Sequence, residues 1–384
     1  MVEKNNLLEF IRGSAAIIVF VSHFFMHPSL SNLHLSIITN WGTESVMIFF
    51  ILSGLVINIS QTTRPKTTKS FLINRILRIY PQFFIAVGLG LLAAQLLHLN
   101  IPNISRILGN ILMVSSLQWY IVGTLDTNGP IWSLSFEFFF YLLFSICIGR
   151  FKNTLLKIWF ILGLLSMPLY FINTGNPVLN HFIAMMSFSS LWLIGYFIYE
   201  YKNIFYADVY SALISLSLLP MTARLNVSGE IFDPIKFLIF SIVSIPLFRF
   251  ALEGGMEGKK ISTFTMTPIF ILLVTFLWVD SQALIINKCL YSMLPFVVLG
   301  LFILVKYLNK TSSLRKIINY TGRITGKYSY SLYIIHYPVL LILSKKISNP
   351  FAYILFSLIV VLLLVYILEN YVQKRVYRLY QTVR

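Results

Sequence analysis

The first apolar stretch of the chain, Leu7–Met26, carries Arg12 and His23 eleven residues apart. On an α-helix that spacing turns about 20° past three full turns and advances about 16 Å, so the two side chains share one face. Ionisable groups inside an apolar helix are expensive and are functional candidates by default. A guanidinium near one end and an imidazole further along could line one path, and a neutral imidazole is suited to taking a proton near pH 7. Gly13, Ala15 and Ala16 beside them permit a neighbouring helix to come close. Against this stands the plainer reading: an arginine that reaches the headgroups and an interfacial histidine.

Three further clusters join that pair. Arg75 and Arg78 lie in Asn74-Arg75-Ile76-Leu77-Arg78-Ile79-Tyr80-Pro81. At i,i+3 they share a helix face, and two guanidiniums so placed clamp phosphate oxygens well; plain cytoplasmic charge is the alternative. Glu137 stands five residues into Trp132-Ser133-Leu134-Ser135-Phe136-Glu137. An intramembrane carboxylate needs a partner or keeps its proton, and a structural ion pair is its bland explanation. His336 precedes Tyr337-Pro338 in Ser329–Val339, where proline frees a carbonyl and kinks the helix. It is either functional or a packing residue at the kink. His27 is expected at the outer interface, His34 and His98 in or near outer loops, and His181 at a span's edge. No metal site is indicated, and Cys147 and Cys289, both in or beside apolar runs, suggest no disulfide framework.

The elements that position these residues follow from composition. Of 384 residues 57% are apolar and 11% charged, against about a quarter charged in soluble domains. Stretches near the ~20 apolar residues that span a bilayer occur at 7–26, 43–60, 81–99, 131–149, 154–172, 182–200, 207–222, 234–250, 264–280, 290–306, 328–345 and 351–370. The fold class expected is an all-α polytopic membrane bundle of about 10–12 transmembrane helices, a single integral domain over 1–384 with no appended soluble domain. The shorter stretches 207–222 and 234–250 could be re-entrant or tilted. The first span is no cleaved signal peptide, since it holds Glu9 and Arg12 and more spans follow. Residues 100–130 read as a short helix on or in the outer face, followed by a Gly/Pro turn.

The net charge of +17 then acquires a direction. With the N-terminus in the cytoplasm and sides alternating, 24 of the 30 basic residues fall on the cytoplasmic side and six outside. That bias puts both termini in the cytoplasm, and it reads as topology with no sign of a nucleic-acid partner.

Taken in order, these pieces resemble the acyltransferase type 3 family of membrane proteins, which includes O-acetylases of O-antigen and other cell-surface polysaccharides. The matching segments are Leu8–His23, Phe49-Phe50-Ile51-Leu52-Ser53-Gly54, Arg75–Pro81, Trp132–Glu137 and Tyr328–Pro338. Each is weak alone in apolar sequence; five in one order are strong. The resemblance implies transfer of an acyl group, usually acetyl, from acetyl-CoA to a hydroxyl of a glycan or lipid-linked saccharide. It also makes His23, Arg12, Arg75 and Arg78 the essential positions. Two departures stand out. The family often has two acidic residues after the tryptophan, where this chain has Glu137 followed by Phe138. It also usually shows about ten spans.

Acyl transfer to an alcohol needs a base at the hydroxyl and donors for the thioester oxygen. His23 is the expected base, although an acyl-histidine route stays open. Glu137 or His336 would orient it, Ser53, Trp132 and Ser133 are the candidate donors, and Arg12, Arg75 and Arg78 would hold acyl-CoA. Acyl-CoA enters as co-substrate, with no permanently bound cofactor expected. A bacterial cytoplasmic membrane is the expected location, and the sequence leaves the oligomeric state open. The competing class is a multi-pass transporter or flippase of a lipid-linked glycan, against which the lack of paired broken helices counts. A structural or sensor protein would have no reason to cluster intramembrane His, Arg and Glu.

Overall fold

The computed structural model of the chain describes residues 6–31, 41–116, 120–149, 152–207, 209–222, 225, 232–252, 259–260 and 313–383. Its helices are α1 (Asn6–Phe24), α2 (Gly42–Thr63), α3 (Thr68–Leu96), α4 (Ile104–Ile111), α5 (Trp132–Cys147), α6 (Lys152–Tyr170), α7 (Pro177–Glu200), α8 (Val209–Thr222), α9 (Pro234–Ala251), α10 (Ser313–Lys346), α11 (Pro350–Ile367) and α12 (Gln373–Val383). Strand pairing among the described residues is limited to two-residue parallel segments, Ser115–Ser116 with Val122–Gly123 and Phe205–Tyr206 with Lys259–Lys260. Eight helices among the described residues are long and apolar enough to cross a membrane. The chain is an all-α polytopic membrane bundle, as its composition requires.

The spans expected at 264–280 and 290–306 lie outside the described residues. The stretch 207–222 is the 14-residue α8, short of the ~20 residues that cross a bilayer. The stretch 328–345 is the apolar part of α10, which runs 34 residues. The third span starts earlier than its apolar run suggests: α3 opens at Thr68 and passes through Pro81. Thr67 caps it by accepting from the Ser70 amide, as Asn349 caps α11 with Pro350 in its first turn. The short helix expected within 100–130 is α4, capped by Asn103, whose side chain accepts from the Arg106 amide at 2.9 Å.

The described residues form two units, the first within 1–11, 47–63 and 191–323, the second within 12–46, 64–190 and 324–384. In the first, α2 and the end of α7 cross backbone to backbone. A Cβ on Gly54 would sit 2.0 Å from the Trp192 carbonyl oxygen, and one on Gly195 1.9 Å from that of Ile51. Only glycine permits this approach. Asn58 fastens the crossing by donating to the Tyr196 carbonyl at 2.9 Å and to Glu200 at 3.1 Å. Arg249 of α9 donates to the carbonyls of Ile198 and Lys202.

In the second unit Pro81, Pro168 and Pro338 lie inside helices, and for Pro81 and Pro338 the missing backbone bond is replaced from elsewhere in the chain. Proline at position i cannot donate to the carbonyl of i−4. Pro81 thus leaves the Leu77 carbonyl open, and Gln373 donates to it at 2.9 Å. Pro338 leaves that of Ile334, and Asn128 donates to it at 3.0 Å. Asn128 also reaches the Ala86 carbonyl, while Thr127 donates to the Gly90 carbonyl at 2.7 Å. The segment before α5 is therefore buried and bonded on both sides, beyond the simple turn its Gly and Pro content suggests. α10 stays continuous through Pro338.

Candidate active site

In the second unit α1 and α10 bring His23 and His336 together. His336 Nε2 lies 3.2 Å from His23 Nδ1, and their ring centroids are 5.1 Å apart. The proton positions follow from the neighbours. His336 Nδ1 faces the carbonyls of Tyr333 at 2.8 Å and Leu332 at 3.1 Å. Carbonyls only accept, so this nitrogen carries the hydrogen and Nε2 of the neutral ring is bare. His23 Nδ1 faces the Val19 carbonyl at 2.9 Å and the bare Nε2 of His336, so it too carries hydrogen. The hydroxyl of Ser22 is spent on the same Val19 carbonyl at 2.7 Å. His336 Nε2 accepts within the pair, and His23 Nε2 is left as the unprotonated nitrogen outside that contact. His336 is fully buried and His23 half-buried, with the Tyr337 ring edge-on to His23 at 5.1 Å.

Three residues further toward the start of α10, Tyr333 meets the tryptophan motif. Its hydroxyl donates to the Pro130 carbonyl at 2.6 Å and therefore accepts from Ser133 at 2.7 Å. Ser133 is thus engaged within the protein. Trp132 is buried against Phe136 and Phe188, with ring centroids at 5.2 and 6.4 Å.

The two arginines of α3 have different surroundings. Arg78 forms an ion pair with Glu369 at 3.0 Å and lies over the Tyr330 ring. Arg75 stacks between the rings of Tyr141 and Phe71, at 5.3 and 5.5 Å, and its Nε meets no acceptor among the described residues. Lys66, in the loop before α3, has its pKa held below the ordinary lysine value by partial burial and by the charges of Arg75 and Arg64. Three cations this crowded suit an anion. Glu137 accepts from Tyr141, which places it beside Arg75's aromatic clamp.

The Acyltransferase domain family (Acyl_transf_3) matches residues 5–370. The chain belongs to that family. It is also 32% identical over 147 residues to "Acyltransferase MdmB" of Streptomyces mycarofaciens, a match covering 35% of this chain and 37% of that relative's length. No solved structure matches the chain.

Within this acyltransferase-family chain, Arg12 is half-buried on α1 in the second unit, and a Cβ on the adjacent Gly13 would collide with Thr325. Ser53 belongs to the first unit, where its hydroxyl accepts from Trp192 at 3.2 Å. His27 is buried within the protein: it donates to the Ile347 carbonyl at 2.9 Å and accepts from the Ser29 amide. His181 is buried as well, against Tyr120 and Phe136. His98 is exposed, and His34 lies outside the described residues.

Sequence reasoning missed Glu369, Gln82 and Gln373. Gln82 donates to Glu369 and Gln373, each at 3.1 Å, while Ser331 donates to Gln82 at 2.7 Å and Glu369 at 3.1 Å. Glu369 sits in a π-helical turn, Leu368–Val372, that joins α11 to α12; such turns are frequent at functional sites. The signal was available, since Glu369 is a carboxylate at the end of an apolar run.

Proposed function

We propose that this protein is a membrane-embedded O-acyltransferase. It moves an acyl group, acetyl in the first instance, from acyl-CoA to a hydroxyl of a cell-surface glycan or lipid-linked saccharide, with His23 as general base. The observation that carries this reading is the seating of His23 Nδ1 against the Val19 carbonyl and His336 Nε2, which leaves Nε2 of the same ring to take a proton. The acceptor O–H bond breaks as Nε2 takes its proton. The oxygen forms a bond to the thioester carbonyl carbon, and the C–S bond breaks as the thiolate leaves and recovers a proton. A route through acyl-His23 uses the same nitrogen. Arg75, with Arg64 and Lys66, supplies the charge for the CoA phosphates. Arg78, tied to Glu369, holds that end of α3 and adds to the field. Arg12 lies along the pantetheine path.

The basic charge of the loops at 64–78 and 150–157 supports an N-terminus in the cytoplasm. It puts the arginine cluster where acyl-CoA is made and leaves the acceptor to come from outside. The family match favours this reading over a transporter or flippase. The test is His23→Ala in membranes with the protein still inserted, scored by mass analysis of glycan O-acetylation. A loss of at least about 100-fold is expected for removal of a general base; full activity would end the assignment.

A further inference from the structure

The pair of histidines carries one step more, resting on the reading of His23 as base. The geometry points to His336 as a positioning residue for that base, one whose Nε2 accepts from His23 Nδ1–H and steadies the imidazolium that His23 becomes. His23 Nδ1–H faces three acceptors, the Val19 carbonyl at 2.9 Å, His336 Nε2 at 3.2 Å and the Ser22 oxygen at 3.3 Å. The carbonyl and the hydroxyl belong to the same helix and do not by themselves hold the ring to the rest of the unit. His336 does: it arrives on α10, fully buried, with its own Nδ1–H anchored on two carbonyls. Moving the hydrogen of either ring to its Nε2 would set a bare Nδ1 against a carbonyl oxygen, a repulsive contact in a buried site. The two rings therefore hold each other in one arrangement, and it is the arrangement that leaves Nε2 of His23 as the reacting atom.

The same arrangement has a direction. When Nε2 takes the acceptor's proton, His23 becomes an imidazolium with hydrogen on both ring nitrogens, and its Nδ1–H strengthens toward the Val19 carbonyl and His336 Nε2 without leaving Nδ1. Nε2 gives the proton back as the thiolate leaves. Tyr337, edge-on to His23 at 5.1 Å, and Phe20, edge-on to His336 at 6.4 Å, wall the contact. Tyr333 stands 6.2 Å from His336 with its hydroxyl spent on Pro130 and Ser133.

The experiment compares wild type, His336→Phe and His336→Gln in steady-state transfer from acetyl-CoA. Phenylalanine fills the space without an acceptor, whereas the glutamine amide oxygen can accept from Nδ1–H. The expected result is a kcat about 10–100-fold lower for His336→Phe, less than loss of the base itself because the Val19 carbonyl remains. KM for acetyl-CoA should hold, and His336→Gln should recover most of the loss. Wild-type kcat in His336→Phe would overturn the inference, as would a folded His336→Gln no better than phenylalanine. Should both variants fail to fold, ¹⁵N-histidine spectra of the wild type, with His23→Ala for assignment, decide it. The expected signal is His23 protonated at Nδ1, and protonation at Nε2 instead would overturn the inference. Activity surviving in His23→Ala would sink the base assignment itself, whereas an inactive His23→Ala beside a fully active His336→Phe sinks the role of His336 alone.

Discussion

At the scale of single residues, Arg75 and Arg78 look equivalent in the sequence and are not equivalent in the protein. Arg78 answers a carboxylate that reaches it from 291 positions away, while Arg75 answers aromatic faces and keeps its Nε without an acceptor among the described residues. Their alanine variants should therefore fail differently. Arg75→Ala should weaken acyl-CoA binding about 10–100-fold, the loss of one or two charge-assisted hydrogen bonds, with little change in thermal stability. Arg78→Ala takes the cation from Glu369, a largely buried carboxylate that keeps its bonds from Gln82 and Ser331, and should cost about 2–3 kcal/mol of stability. That is below the figure for a fully buried pair because Arg78 is a third exposed. Binding isotherms and thermal unfolding of the two purified variants check both; equal behaviour in the two assays would refute the distinction. His23, Arg12 and His336 were legible as candidates because an ionisable group in an apolar run has few innocent explanations. Their pairing was not legible, because nothing in a linear sequence says which of six histidines share a contact.

At the scale of elements, the prolines explain why certain distant polar residues exist. Pro338 and Asn128 form one device and Pro81 and Gln373 another, each a missing backbone donor replaced by a side-chain amide. Asn128→Ala should destabilise by about 1–3 kcal/mol, the cost of a buried carbonyl left without a donor. The same change in a Pro338→Ala background should cost less, because alanine restores the amide that bonds Ile334. A double-mutant cycle in thermal unfolding measures this coupling, and strictly additive effects would show that the two residues do not serve one carbonyl. The sequence announced helix, span and proline here. It did not announce the compensation, which depends on chain segments more than 200 residues apart. The two glycines at the crossing of α2 and α7 were silent for the same reason: a small residue reads as a spacer until a backbone is found 2 Å from where its Cβ would be.

For the whole molecule, charge distribution makes the strongest forecast. The loop between α2 and α3, with Arg64 and Lys66, should face the cytoplasm, and the loop between α6 and α7, around Thr174, should face outside. Single cysteines at Thr67 and Thr174, in a background without Cys147 and Cys289, test this with an impermeant maleimide. Thr174→Cys should label in intact cells and Thr67→Cys only after permeabilisation; the opposite pattern would invert the topology and remove the cytoplasmic route to Arg75.

Hydropathy and charge are sums over local sequence, so the sequence by itself determined the all-helical membrane class, the approximate spans, the side on which the basic residues should gather and the short list of costly polar groups. Contacts are not local. Only the tertiary structure decided that His23 meets His336, that Glu369 claims Arg78 and leaves Arg75 to the aromatic rings, and that Asn128 and Gln373 serve carbonyls freed by prolines. For His23, Arg78, Asn128 and Gln373 the decisive fact is a distance near 3 Å between groups that the chain separates by hundreds of residues, and the free energy of a buried hydrogen bond depends on its geometry, charge and burial, not on sequence position.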